Sequence, residues 1–254
     1  MADKLKLFFW RLLPLVIFIC TWQFLLMGNA QLSFYFGLPS KIGHYIIIKT
    51  HDGTLVIDFL TTLVETVLGF LFGNILGTLT GLSLWFSNRL FQISKPYIIA
   101  LGSAPIFALA PLMIIWFGTG LFSKVMMATL STVFIALFQA YSGAANVDTA
   151  YLKLMKSMNA SRLQVFRKVI APSSIVWVIS AFKINVGFAL LGAFIGEYIS
   201  SSKGLGHLIL VAGGLFDISL VLTGVFALML IALGLNIIVG KLEQPIKTTL
   251  VGWL

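Results

Sequence analysis

The sequence predicts an all-α integral membrane protein with about six transmembrane helices and a cytoplasmic loop of two short helices. Composition is the first observation behind this prediction. Of the 254 residues, 59% are hydrophobic and only 10% are charged, whereas soluble proteins average about 25% charged residues. A soluble core of this size cannot bury so much apolar surface, so the chain needs lipid around it. The second observation is a series of apolar runs near the ~20 residues that a helix needs to cross a bilayer.

The apolar runs belong to one transmembrane domain, 1–254. The predicted spans lie at about 12–28, 59–85, 97–118, 125–145, 173–196 and 218–240. The first run has features of a signal peptide, but it is longer than the usual apolar core of about 7–15 residues and is interpreted as a span. After it we expect an external loop, 29–57, with a short interfacial helix near Ile42–Ile48. The apolar stretch 204–216 is about half a span long, which predicts a re-entrant or surface-lying helix.

The net charge of +9 does not indicate a nucleic-acid partner. In a membrane protein, basic residues collect at the cytoplasmic interface, where they meet anionic lipid. If the amino terminus is inside, the cytoplasmic segments hold twelve of the seventeen cations: Lys4, Lys6, Arg11, Arg89, Lys95, Lys153, Lys156, Arg162, Arg167, Lys168, Lys241 and Lys247. The external segments hold Lys41, Lys49, Lys124 and Lys203. This asymmetry predicts that both termini are cytoplasmic, with a cytoplasmic turn at Arg89 and Lys95 and a short tail after residue 240.

The chain lacks the patterns that bind metals or cofactors. Cys20 is the only cysteine, which excludes an internal disulfide and a cysteine-based metal cluster. His44 and His51 have no third ligand nearby, so they do not predict a metal site. The sequence contains no P-loop, no His-Glu-x-x-His motif and no serine elbow. We therefore predict that the chain is not an enzyme and holds no cofactor.

Glycine recurs at every fourth position of the second predicted span. Gly69, Gly73, Gly77 and Gly81 form one smooth face along a helix. In lipid, small residues at this spacing let a second backbone approach closely, and van der Waals contact then holds the helices together. We predict that this face packs against another helix.

Prolines and ionisable residues interrupt the apolar spans. Pro105 and Pro111 lie in the third predicted span, where each removes a backbone hydrogen bond and kinks or breaks the helix. A role in lining the pathway and a plain kink both remain open. Glu65 and Lys183 lie in the second and fifth spans, and each needs a partner or a water-filled cavity. They either pair with each other or extend toward the nearest interface.

A basic, amphipathic segment, 148–172, separates the fourth and fifth predicted spans. Apolar residues recur at helical spacing in each half of it: Tyr151, Met155 and Met158, then Leu163, Phe166 and Ile170. Between the halves, Asn159 tolerates the left-handed conformation better than most residues, and Ser161 can cap the helix that follows. The pattern predicts two short helices joined by a turn in which one residue has a positive φ angle.

This segment resembles the cytoplasmic loop of ABC importer permeases. In that family the loop reads Glu-Ala-Ala, three residues, Gly, nine residues, then Ile-x-Leu-Pro. With 169–172 aligned on the last motif, Asn159 falls on the family's glycine and Lys153-Leu154-Met155 on Glu-Ala-Ala. The acid, the glycine and the leucine before the proline are all replaced here. Stretches 104–124 and 201–209 resemble the binding-protein-dependent subfamily that imports nitrate, sulfonates, taurine and thiamine precursors, and the resemblance extends over roughly residues 55–240.

The resemblance implies a permease subunit that forms the translocation pathway for a small polar or anionic solute. It implies a pair of ABC ATPase subunits, a second permease subunit that we expect to be an identical chain, and an extracytoplasmic binding protein. The residues implied to contact the ATPase subunit are Lys153, Leu154, Met155, Asn159, Ala160 and Ser161. The alternative is a secondary transporter driven by an ion gradient, which needs intramembrane ionisable residues and repeated halves. The sequence shows no internal repeat.

Overall fold

The computed structural model describes the backbone of residues 2–251 and the side chains of Trp10 and residues 12–244. All regular structure in residues 2–251 is helical. In chain order the helices are α1 (Ala2–Leu26), α2 (Ala30–Phe36), α3 (Pro39–His51), α4 (Thr54–Leu84), α5 (Asn88–Gly102), α6 (Ile106–Phe117), α7 (Leu121–Ala145), α8 (Thr149–Ser157), α9 (Arg162–Val165), α10 (Ala171–Ile199), α11 (Leu205–Gly214) and α12 (Ile218–Val251). A π-helical turn, Phe166–Ile170, joins α9 to α10. The side chains of Lys4, Lys6, Arg11 and Lys247, which the charge count includes, lie outside the described residues.

Four stretches of helix are long and apolar enough to cross a bilayer. They are Thr54–Leu84, Leu121–Ala145, Arg162–Ile199 and Ile218–Gln244. Helices α5 and α6 reach a comparable length and hydropathy only as a pair, and they are bent by 91° at the break between them. The apolar part of α1, Leu12–Leu26, is shorter than the four long stretches. The described residues thus contain four long spans and one broken span, and a crossing by α1 stays a prediction.

Helix directions follow from which residues face each other in the central bundle. A β-carbon built on Gly69 would meet Ala128 of α7, and one built on Gly81 would meet Ala140 of α7, so α4 and α7 run parallel. Helix α10 runs antiparallel to both. Thr62, in the first part of α4, contacts Glu197, which lies near the end of α10. Since α4 and α7 begin at the same end of the bundle, the α5–α6 pair must return the chain across it. The pair is therefore a broken crossing rather than a re-entrant loop.

Several predicted boundaries are corrected by the structure. The cytoplasmic turn predicted at Arg89 and Lys95 is wrong, because both residues lie inside α5. That helix begins earlier than expected because the Ser87 hydroxyl accepts a hydrogen bond from the Leu90 N–H at 3.2 Å and caps it. The tail predicted after residue 240 is also helical as far as Val251, in a continuation of α12.

The region before α4 contains two helices where the sequence predicted one. Helix α2 was not expected, and α3, which covers the predicted interfacial helix, begins with Pro39 at its first position. The Tyr45 hydroxyl of α3 donates a hydrogen bond to Asp217 at the start of α12. This bond, burial and the negative charge of Asp217 raise the pKa of the Tyr45 phenol. Helix α3 is thus held against the beginning of α12.

Helix α11 is the short apolar helix predicted within 204–216, and it packs into the bundle. Leu205 and Ala212 are fully buried. Leu205 belongs to a core cluster with Leu55, Leu190 and Ile231, which come from α4, α10 and α12. This helix therefore lies against three of the four long helices.

Candidate coupling segment

Helix α8 stands out from the bundle because all of its residues are exposed or half-buried. Its start is capped by the Asp148 carboxylate, which accepts a hydrogen bond from the Ala150 N–H at 2.8 Å. Tyr151, Leu154 and Met158 are among the exposed large apolar side chains, and Leu154 and Met158 are 56% and 69% exposed. Their spacing of three, four and seven places them on one face of the helix. An apolar face on a helix this polar is typical of a surface that a partner covers.

The turn after α8 has the conformation that the sequence predicts. Asn159 has a φ of +50°, in the left-handed region, so the expectation of one positive φ in this turn is confirmed. The Ala160 N–H donates to the Met155 carbonyl at 3.0 Å, which satisfies an open carbonyl at the end of α8. Ser161 caps α9 in a reciprocal arrangement with Gln164, which confirms the predicted cap.

The second half of the predicted loop is not a separate helix, and this expectation is wrong. Residues 162–199 form one helical stretch that passes through the π-helical turn into α10. Pro172 lies at the beginning of α10, directly after that turn. Proline has no N–H and its ring clashes with the carbonyl four residues earlier, and a wider turn accommodates both. The consequence is that the turn at Asn159 leads directly into a membrane-spanning helix.

Aromatic packing ties the start of this long helix to the end of α4. The Phe166 ring lies 4.7 Å from the Phe86 ring and 5.8 Å from the Trp85 ring, between centroids. One guanidinium nitrogen of Arg162 donates to the Phe86 carbonyl at 3.2 Å. The segment after α8 is therefore connected to two long helices, to α10 through the chain and to α4 through these contacts.

The four glycines of α4 lie where the packing prediction requires. Gly69, Gly73, Gly77 and Gly81 are all buried, and a β-carbon on any of them would overlap α7. The overlapping atoms include backbone atoms of α7, which cannot rotate away. The two helices thus touch backbone to backbone along about three helical turns, which is the close approach that small residues allow in lipid.

The two prolines of the third predicted span occupy different structural positions. Pro105 is the residue that precedes α6 at the 91° bend, and Pro111 lies inside α6. Beside Pro111, Ala110 and Met113 are buried against Met127 of α7. The structure therefore assigns Pro105 to the break, while a role for either proline in lining the pathway stays a prediction.

Glu65 and Lys183 do not pair with each other. Lys183 forms an ion pair with Glu243 of α12. Glu65 lies instead against Glu197 of α10 and near Lys124 of α7. The structure therefore excludes a direct ion pair between Glu65 and Lys183. Because α4 and α10 are antiparallel, Glu65 lies beside a residue near the end of α10, well past Lys183. The sequence contains a signal for a polar contact at this end of α4. Asp58, Thr62 and Glu65 are spaced so that three polar side chains lie on one face of an apolar helix.

A second polar contact within the bundle was missed by the sequence analysis. The Asn185 amide of α10 donates to the Asn74 side-chain oxygen of α4 at 2.6 Å, and both residues are buried. The Asn74 amide donates in turn to the Phe70 carbonyl at 2.7 Å. Polar side chains that hydrogen-bond across helices stabilise their association in lipid. Neither asparagine stands out in sequence, because each is a single polar residue in an apolar run.

Residues 73–248 match the family described as binding-protein-dependent transport system inner membrane component. The chain belongs to this family. A "Probable ABC transporter permease protein" of Haemophilus influenzae is 32% identical over 79% of this chain and 81% of its own length. The formylaminopyrimidine transport permease protein ThiX of Halalkalibacterium halodurans is 30% identical over 67% of this chain and 68% of its own. An aliphatic sulfonates transport permease protein of Bacillus subtilis, described as putative, is 29% identical over 79% and 72%.

Solved structures of permeases share the fold. A chain of the inward-facing MetNI methionine ABC transporter superposes with a TM-score of 0.69, at 17% identity, over 78% of this chain and 98% of that one. A member of the binding-protein-dependent permease family is a transport component and not an enzyme. The predictions of an all-α permease fold, of membership in this family and of a multi-pass membrane protein are confirmed.

Proposed function

We propose that this chain forms the translocation pathway of an ATP-driven importer and that α8 is its contact with an ATPase subunit. The observation that carries the proposal is the exposed apolar face of α8, on a helix that runs through one turn into α10. Two features of the sequence support it. The chain has no P-loop, so ATP hydrolysis belongs to a separate subunit. The family to which it belongs transports together with a binding protein.

The proposed orientation places α8 in the cytoplasm, together with both termini. Twelve of the seventeen cations are then on the inside. The helix directions in the described residues support this arrangement, because α4 and α7 end at the side of the bundle where α8 lies and α10 begins there. The ends of α4 and α7, α8 itself and the start of α10 form the inner surface, and α11 lies at the outer one.

The proposed mechanism is a rigid-body switch between inward-open and outward-open states. Closure of two ATPase subunits on ATP moves the helix docked on them, and ATP shifts the equilibrium because it binds one state more tightly. The movement of α8 passes through the Asn159 turn to α10 and through Phe166 to the end of α4. Since α4 and α7 are in backbone contact along the glycine face, they follow as one unit.

The proposed partners are two ATPase subunits, a second copy of this chain, an extracytoplasmic binding protein and the surrounding lipid. Relatives named for formylaminopyrimidine, aliphatic sulfonates and taurine support a small polar or anionic substrate. The binding protein selects among such solutes before they reach the pathway. Identifying the ligand of the binding protein that copurifies with this chain tests the substrate class directly.

The contact with the ATPase is tested by comparing two exposed leucines at opposite ends of the bundle. Leu154 lies on α8 and is 56% exposed, and Leu215 follows α11 and is 71% exposed. Leu154→Asp should abolish copurification of the ATPase subunit from detergent, because it places a charge in an apolar contact. Leu215→Asp should leave copurification unchanged, since it makes the same chemical change on the proposed outer side. Equal loss in both variants would contradict the assignment of α8.

The energy source is tested in vesicles. The purified chain alone should hydrolyse no ATP, and uptake should require ATP, the ATPase subunits and the loaded binding protein. Uptake by the chain alone along a proton or sodium gradient would overturn the proposal in favour of a secondary transporter.

A further inference from the structure

The beginning of α11 is bound by polar side chains of two long helices. The N–H of Gly204 donates to the Asp58 carboxylate at 2.7 Å, that of Leu205 to the Thr62 hydroxyl at 2.9 Å, and that of Gly206 to the Glu197 carboxylate at 2.7 Å. A helix begins with N–H groups that have no partner within the helix, and here three of them are satisfied by α4 and α10. The contact between α11 and the bundle is therefore polar at this end, buried at Leu205 and Gly206 and half-buried at Asp58.

Glu197 is the centre of this contact. It is fully buried, and its second carboxylate oxygen accepts a hydrogen bond from the Thr62 hydroxyl at 2.7 Å. A β-carbon on Gly204 or Gly206 would overlap Glu197, and Gly204 also has a φ of +102°, so glycine is required for this approach. Hydrogen bonds from a hydroxyl and a backbone N–H are the environment that stabilises an ionised carboxylate.

Glu65 is in the opposite situation. It is only 2% exposed, its carboxyl group lies against that of Glu197, and its Oε2 atom has no hydrogen-bond partner among the described residues. Two carboxyl groups in contact can form a hydrogen bond with each other only when one of them carries a proton. An ionised carboxylate with a buried, unpartnered oxygen is far costlier than a neutral carboxyl group. The proton therefore belongs on Glu65.

The nearby cation completes the charge balance. Lys124 of α7 is 2% exposed, interacts electrostatically with both glutamates and donates to the Thr119 carbonyl. One ammonium group balances one carboxylate, so two ionised glutamates would leave a net negative charge buried. The remaining charged or titratable groups around the site are Asp58 of α4, Lys49 of α3, and Lys203 and His207 at the start of α11. Lys49, Lys203 and His207 lie around Asp58 at the outer edge of the site.

We propose that Glu65, Glu197 and Lys124 form a binding site for a single proton, which holds α11 against α4 and α10. In this site Glu65 carries the proton and donates it in a hydrogen bond to ionised Glu197, whose charge Lys124 balances. Loss of the proton to water leaves two like charges in contact and weakens the attachment of α11 through Gly206. The site is defined by the structure of this chain alone and does not depend on the proposed transport function.

The protonation state is tested by infrared spectroscopy on the full chain in lipid nanodiscs at neutral pH. The parent should show the carbonyl band of a protonated carboxyl group, and Glu65→Gln should lose it. Asp58→Asn is the matched control and should retain the band, since Asp58 accepts a hydrogen bond from the Gly204 N–H and lies outside the pair of carboxyl groups. Absence of the band from the parent, or its persistence in Glu65→Gln, would overturn the proposal.

Thermal unfolding in the same nanodiscs gives a second, independent readout. Glutamine mimics a neutral glutamic acid, so Glu65→Gln should change the unfolding midpoint little, whereas Glu197→Gln should lower it by several degrees because Lys124 loses its counter-ion. Adding Lys124→Met to Glu197→Gln should recover much of that loss. If Glu197→Gln cannot be purified, the double variant is measured against Lys124→Met alone, which should be the less stable of the two.

The pH dependence of the midpoint has a definite sign. If the folded chain holds one proton that the unfolded chain releases, stability falls as pH rises, and the parent midpoint should decrease between about pH 5 and about pH 8. Glu65→Gln should remove most of that slope. A slope that is the same in both proteins would show that Glu65 does not hold the proton and would overturn the site.

Discussion

Helices α4 and α8 use their side chains in opposite ways. Along α4, four glycines are buried against the backbone of α7, and the stability of that contact is internal to the chain. Along α8, no residue is buried, and Leu154 and, at the end of the helix, Met158 present exposed apolar side chains. A substitution in the glycine face should therefore destabilise the chain, whereas one on α8 should leave its stability unchanged and weaken its contact with a partner.

The glycine face should tolerate no added volume. A β-carbon on Gly77 would meet the Val133 carbonyl, Ala136 and the Leu137 nitrogen of α7. Gly77→Ala should therefore destabilise the bundle by about 1–3 kcal/mol, the usual cost of overpacking. Gly234→Ala is the control, because Gly234 is exposed and a β-carbon there has nothing within 4 Å. It should be neutral or stabilising by up to about 1 kcal/mol, since alanine favours the helix. Equal unfolding midpoints for the two variants would contradict the close packing of the glycine face of α4 against α7.

Features that depend on local pattern were predictable from the sequence. The glycine spacing predicted the packing face of α4, and the Asn159 turn was predicted with its positive φ because a short-range rule governs it. Features that depend on which helices meet were not predictable in this way. The partner of Glu65 lies on a helix 132 positions later in the chain, and only the antiparallel packing of α4 and α10 brings it close. The continuity of α9 with α10 depends on a π-helical turn before Pro172, whereas a proline in sequence is equally compatible with a broken helix.

A substitution in the turn at Asn159 should impair coupling to the ATPase subunit without preventing folding. A β-branched residue in the left-handed region costs on the order of 1–2 kcal/mol, and glycine pays no such penalty. Asn159→Val should therefore yield a folded, membrane-inserted chain whose complex with the ATPase is unstable or hydrolyses ATP without transport. Asn159→Gly, at the same position, should transport like the parent. Normal transport by Asn159→Val and failure of Asn159→Gly would show that the left-handed turn is not what orients α8.

The buried asparagine pair should contribute to the bundle less than the glycine face does. Asn185→Leu removes the hydrogen bond to Asn74 and leaves the Asn74 oxygen without its donor. Hydrogen bonds between membrane helices contribute about 0.6 kcal/mol on average and up to about 1.7, so we expect a loss in that range. Asn236→Leu is the matched control, because among the described residues the Asn236 amide donates only to the Ala232 carbonyl of its own helix, at 2.9 Å. The midpoints of thermal unfolding should fall further for Asn185→Leu, and the reverse order would assign the polar contact no role between α4 and α10.

The smallest effect is expected where α12 meets α10, at the ion pair between Lys183 and Glu243. The Lys183 side chain is 52% exposed and that of Glu243 only 7% exposed. Solvent screens such a pair, and exposed ion pairs contribute about 0.2–1 kcal/mol in double-mutant cycles. A cycle of Lys183→Met and Glu243→Gln on thermal stability should therefore give a coupling energy in that range. A parallel cycle of Lys183→Met with Glu65→Gln should be additive, because those side chains belong to different contacts. Coupling in the second cycle and additivity in the first would place Lys183 beside Glu65, and the antiparallel register of α4 and α10 would then be wrong.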